Sequence, residues 1–136
     1  MTARYLAIEP QQEPLDVGLD ENRRVQFVFN VVATKRPSRR FTQEVVAILV
    51  GAGVGVAGTS IFTSSKSVVP PGGGPFISIR ATGGAGPIGT HNGGANAYRR
   101  PGAQILVRGE SVTQTEAMVW NAFDALTAIR NEAVTA

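Results

Sequence analysis

Tyr98-Arg99-Arg100-Pro101-Gly102-Ala103-Gln104-Ile105-Leu106-Val107-Arg108-Gly109-Glu110 is the stretch on which the fold turns. A Gly-rich segment leads into it. Gln104 to Arg108 is apolar with a charged end, which predicts a strand. Ser111-Val112-Thr113-Gln114 follows directly and reads as a capping box: the Ser hydroxyl takes a free N–H and the Gln side chain reaches back. The helix it opens is expected to run to about Asn131. Met118, Val119, Ala122, Phe123, Leu126 and Ile129 form its apolar stripe. Trp120 lies off the centre of that stripe, at the core edge or towards a neighbouring subunit.

Upstream, Phe76, Ile77 and Ile79 predict a strand ending at Arg80, and Ile61-Phe62-Thr63 a shorter one. Thr42 is placed to cap a helix through Val45, Val46, Ile48 and Leu49. Gly51, Gly53, Gly55 and Gly58 would each cost that helix ~1 kcal/mol relative to Ala, so it should stop near Gly51 or Gly53. Arg24 to Val32 is the clearest strand, with Val25, Phe27, Phe29 and Val31 on one face. Lys35 to Arg40 breaks it, with Pro37 denying a ladder donor. Residues 4–9 suggest a further short strand, and Pro10 to Glu21 an extended connector with a turn at Asp20-Glu21-Asn22. Thr82 to Arg100 is dominated by Gly, Ala and Asn, and residues 83–97 are expected to order only on docking.

The order of elements predicts an α+β fold: a small, mainly antiparallel sheet with two helices on one face, in a single domain of residues 1–136. The other face and the edges of such a sheet need cover, which self-association can supply. The chain has 43% apolar residues, 13 basic and 10 acidic side chains, a net charge of +3 and no cysteine. Without cysteine there is neither a disulfide nor a thiolate metal site. No apolar run reaches the ~18 residues of a membrane-spanning helix, and Met1-Thr2-Ala3-Arg4-Tyr5 lacks the plan of a signal peptide. Basic residues gather at Lys35-Arg36-Pro37-Ser38-Arg39-Arg40 and at Arg99-Arg100. Such clusters suit either a solvated loop or contact with nucleic acid, though the interleaved aromatics of a stacking surface are missing.

Catalytic patterns do not assemble. Gly51-Ala52-Gly53-Val54-Gly55-Val56-Ala57-Gly58 follows a helix and precedes a strand, the reverse of a dinucleotide fingerprint. His91 is the only histidine and stands in the Gly-rich stretch without a partner to hold it. Asp20 and Glu21 are adjacent and point apart. The expectation is a protein that is not an enzyme, with no catalytic residue, cofactor or metal.

Pro75-Phe76-Ile77-Ser78-Ile79-Arg80-Ala81-Thr82-Gly83-Gly84, then Thr90-His91-Asn92, Tyr98-Arg99-Arg100-Pro101, Val107-Arg108-Gly109 and the Ala-rich helix closing in Leu126-Thr127-Ala128-Ile129-Arg130-Asn131 resemble the minor capsid or tail-terminator family of tailed bacteriophages. The likeness covers about residues 40–131. Residues 1–38, with Tyr5-Leu6-Ala7-Ile8-Glu9-Pro10 and Arg24-Val25-Gln26-Phe27-Val28-Phe29-Asn30-Val31, resemble the family's carboxyl-terminal portion but come first here. The chain therefore looks circularly permuted, which requires residues 4–33 to complete the sheet, Ala136 to lie near Met1, and residues 34–41 to form an exposed bridge.

The resemblance implies a structural virion protein, assembled in the host bacterial cytoplasm and located at the head–tail interface. It implies a homo-oligomeric ring, most often a hexamer, that stops polymerisation of the tail-tube protein and meets a head-completion protein. DNA transits its lumen without specific binding, and no membrane is involved. Arg99, Arg100, Arg108, Trp120 and His91 are the interface candidates. A small basic nucleic-acid-binding protein is the alternative.

Overall fold

The computed structural model describes residues 2–21, 23–36, 40–63, 73–88 and 98–135. In chain order its elements are β1 (Thr2–Pro10), β2 (Leu15–Leu19), β3 (Val25–Arg36), α1 (Phe41–Gly51), β4 (Ile61–Thr63), β5 (Phe76–Ala81), β6 (Ala85–Ile88), β7 (Tyr98–Arg100), β8 (Gly102–Gly109), α2 (Val112–Thr127) and β9 (Arg130–Thr135). β3 is the spine. Along one edge it pairs with β2 and then β1, and along the other with β8 and then β7. The main path runs β4-β5-β8-β3-β1-β9, and β6 extends from β7. The ladders are antiparallel except β4–β5. This is the expected mainly antiparallel α+β architecture.

Period-2 alternation decides which side chains enter the core. Register sets Ile105 of β8 opposite both Phe29 and Ile79, and Val107 opposite Phe27 and Ile77. Phe29, Val31, Ile77, Ile79, Ile105 and Val107 are accordingly buried. Val119, Ala122 and Leu126 of α2 and Phe41, Val45 and Leu49 of α1 close over them. Phe123 meets Phe29 edge-on at 5.4 Å, and Trp120 meets Phe123 edge-on at 5.3 Å, so Trp120 covers the core edge. The opposite face carries Gln26, Val28, Asn30, Gln104, Leu106 and Ser78 by the same alternation.

The helix ends follow from local chemistry. Ser111 Oγ accepts from the Gln114 N–H at 3.3 Å, which is the first half of the expected box. α1 closes with Gly53 N–H donating to Val50 O and Val54 N–H to Leu49 O, a return that needs the left-handed φ of 76° at Gly53.

Several expectations need correction. Thr42 does not cap α1: Arg40 holds the N-cap position without a side-chain cap bond, and Thr42 lies inside the helix. α2 ends at Thr127 rather than near Asn131. The Thr127 hydroxyl bonds back to Phe123 O at 2.8 Å, Ile129 N–H bonds only to Leu126 O, and Asn131 adopts φ 50°. The chain then turns to pair with β1, where a full ladder is available to its backbone. The extended connector contains β2, which pairs with β3. Within the Gly-rich stretch, Ala85–Ile88 is a strand on β7, while residues 89–97, His91 among them, lie outside the described residues.

Lys35 does not break β3. It continues the core-facing row of Phe29, Val31 and Ala33 and is fully buried, so the exposed bridge expected over residues 34–41 does not include Thr34 to Arg36 as loop. Residues 4–33 do complete the sheet, and Thr2 pairs with Thr135; Met1 and Ala136, expected to lie near each other, and residues 37–39 of the expected bridge lie outside the described residues.

Candidate functional site

The residues singled out in the sequence do not converge. Arg99, exposed, and Arg100, half-buried, lie on β7. Arg108 lies at the far end of β8, and Trp120 on α2. Two polar constellations stand out instead, one inside the fold and one at the end of the sheet.

The internal one joins β1, β3 and α1. Lys35 Nζ contacts Glu44 Oε1, and both side chains are wholly shielded from solvent. Tyr5 Oη donates to the same Oε1 at 2.7 Å. The Tyr5 and Phe41 rings lie 5.4 and 6.0 Å from Nζ at their centroids, so the ammonium is walled by aromatic faces. Glu44 Oε2 is buried without a hydrogen-bond partner among the described residues. Desolvation pushes the Lys35 ammonium below its ordinary pKa and the Arg99 charge adds to this, against the pull of Glu44. Burial first, and then the bond to Glu44, push the Tyr5 phenol well above its ordinary value. Nothing here opens to a substrate. The cluster clamps α1 to β1 and β3.

The second constellation is at the β2–β3 turn. Asp20 Oδ2 accepts from Arg24 Nε at 2.8 Å, and Oδ1 accepts from the Arg24 N–H at 2.8 Å. Arg23 takes φ 59° to make this turn, with its N–H on Asp20 O. Arg108 Nη1 stands 3.8 Å from Asp20 Oδ2, a long contact with a carboxylate already held by Arg24. Arg108 Nε is buried and has no hydrogen-bond partner among the described residues. These groups line a groove of about 460 Å³ with Leu19, Glu21 and Gln26. Register places Gly18, Gln26, Arg108 and Phe76 in one row across the sheet. The groove had no sequence signal, because Asp20 and Arg108 are brought together only by the register of β3 on β8.

At the other end of β3 the register of Lys35 on Arg99 brings the two basic clusters of the sequence together at one point. Arg4 is opposite Arg36, Lys35 is opposite Arg99, and Arg40 begins α1. Arg39 lies outside the described residues. Among the described residues no group of three or more His, Asp or Glu side chains could hold a metal ion, and no helix is long and apolar enough to cross a membrane. Comparison of the chain with protein-family models, with curated proteins and with solved structures finds no match.

Proposed function

We propose that this protein is a self-assembling structural subunit that closes into a ring, as a tail terminator does at the head-proximal end of a long phage tail. The observation that carries the reading is β2. All five of its residues are exposed, and Leu15, Val17 and Leu19 are 57%, 46% and 64% accessible. One edge of β2 is paired with β3 and no strand among the described residues takes the other. An exposed apolar edge strand is a hazard in a lone subunit and a docking surface in an assembly. On the far side of the sheet β4 ends the strand order, and no strand but β5 pairs with it among the described residues. Two different edges suit a head-to-tail contact that closes by rotation. The adjacency of Thr2 and Thr135 supports the permuted resemblance on which the phage role rests. The finer terms of that role are six subunits, contact with the tail-tube and head-completion proteins, and DNA transit through the lumen.

Light scattering on the eluting protein tests the edge. The full chain should give a fixed multiple of 14.3 kDa. Val17→Lys, which leaves the core untouched, should shift the mass to the single chain. Unchanged assembly in Val17→Lys would remove β2 from the contact.

A second reading, binding of nucleic acid, draws on the register that sets Arg4 opposite Arg36 and Lys35 opposite Arg99 at one end of β3. It requires affinity that falls steeply with salt. Retention of a duplex by single chains at physiological salt would favour it over the ring.

A further inference from the structure

We infer that β2 of one chain is received by the groove between α1 and β4 of a second copy, so that the assembly is built head to tail from two different surfaces. This rests on the self-assembly proposed above and names the two surfaces that meet.

The charges of the chain are segregated. Tyr5 to Asn22 carries five acids and no basic residue, whereas Val45 to Gly109 carries five basic residues and no acid. β2 lies wholly in the first stretch, and β4 to β8 lie in the second. Two β2 strands laid against each other would set Asp16 and its acidic neighbours against their own copies, which disfavours a two-fold pairing. The acid-free edge of a second copy brings no such repulsion.

The groove at that edge has a volume of about 300 Å³ and no charged side chain in its lining, which includes Val46, Ala57, Ile61, Phe62 and Gln43. Glu44, next to Gln43 in the chain, is turned inward onto Lys35. Val50, one helical turn beyond Val46, and Val56 are both exposed and extend the apolar surface. Leu15, Val17 and Leu19 of β2 are the apolar groups that match it. The backbone of β4 is partly occupied at its outer edge: Ile61 N–H donates to Val56 O, and Gly58 N–H donates to Ile61 O. β2 is therefore received by side chains in the groove and not as one more strand of the ladder.

Register supplies the geometry. Leu15 is opposite Val28, Val28 opposite Leu106, Leu106 opposite Ser78, and Ser78 opposite Phe62. One row thus crosses the sheet from β2 to β4, and the two surfaces stand at the same level along the strands. Rotation about an axis along the strands joins them with no rise, the condition for a ring that closes instead of a helix that climbs.

The absence of cysteine makes cross-linking a clean test. Val17→Cys and Ala57→Cys both replace exposed residues. Within one chain β3, β8 and β5 stand between β2 and β4, and four inter-strand spacings of ~4.8 Å exceed the reach of a short bis-maleimide. The double variant treated with that reagent should run on a denaturing gel as a ladder of multiples of 14.3 kDa, and each single variant should stay at one chain. Linking in Val17→Cys alone would show β2 against β2 and overturn the inference. An unlinked double variant that light scattering still finds assembled would overturn the groove and leave self-assembly standing. A native chain of single-chain mass would overturn both. Gln43→Glu, an exposed and near-isosteric change in the groove, should raise the concentration for half-assembly about two- to fivefold, and Asp16→Lys added to it should reverse the rise. An unchanged value in Gln43→Glu, or no reversal in the pair, overturns the match of β2 to this groove.

Discussion

Lys35→Met should be among the most damaging single substitutions in this protein. Lys35 and Glu44 are both wholly buried and in contact, with Tyr5 donating to the same carboxylate oxygen. At contact distance and an effective dielectric of ~20, their attraction is about 5 kcal/mol. Without the ammonium, Glu44 keeps only the Tyr5 hydroxyl on Oε1, and its Oε2 already lacks a partner among the described residues. Breaking such a pair from one side typically costs ~3–5 kcal/mol. A domain of this size has ~5–15 kcal/mol in total, so the melting temperature should fall by roughly 10–20 °C. Removing the whole cluster is a different perturbation. The triple variant Tyr5→Phe, Lys35→Met, Glu44→Leu leaves no buried charge and no orphaned hydroxyl, and should recover most of the loss. Urea unfolding followed by far-UV circular dichroism and by Trp120, the single tryptophan, reads both. A cost below ~1 kcal/mol for Lys35→Met would show that the ammonium reaches water. A triple variant as unstable as the sum of its singles would show that the three groups are not coupled.

Three further outcomes follow from named contacts. Tyr5→Phe should change the alkaline limb of stability. The Tyr5 pKa is raised in the fold, so its contribution is complete below the ordinary 10.0 and is lost as pH rises beyond it. Lys35 is lowered and acts oppositely, adding stability up to its ordinary 10.5. Urea midpoints across this range should fall for the native chain and not for Tyr5→Phe; parallel curves would contradict this. Gly84→Ala should destabilise by more than ~1 kcal/mol, because Gly84 has φ 65° and an added Cβ would stand 2.2 Å from Arg100 O; thermal melting checks it, and an unchanged midpoint would remove the close approach. Ser111→Ala should cost ~1 kcal/mol through loss of the α2 cap, read by chemical denaturation.

Where a local pattern was sufficient, the sequence was legible. Alternation in Phe76 to Arg80 and Gln104 to Arg108 located β5 and β8, and the Ser111 cap located α2. Glycine ended α1 where its propensity says it should. The misses share a cause. The row Val31, Ala33, Lys35 continues with period 2, yet the charge of Lys35 hid it, because burial of that charge depends on Glu44 from a separate element. Glu44 itself falls on the stripe of Phe41, Val45 and Leu49, which was visible but had no meaning without its partner. Leu15, Val17 and Leu19 alternate plainly, but Pro14 and the acids around them read as a connector; β3 supplies the ladder that makes them a strand. β9 follows α2 with Ile129 still in helical phase, and only the open edge of β1 decides the matter. The groove at Arg108 likewise exists only through register.

Electron microscopy of the purified chain, alone and with tail-tube protein, distinguishes a closed ring from a single subunit. The protein should form closed rings with a central lumen, built from a fixed number of 14.3 kDa subunits and seated on the ends of tubes. Particles of single-chain size in both preparations, with tubes left bare at their ends, would contradict the ring.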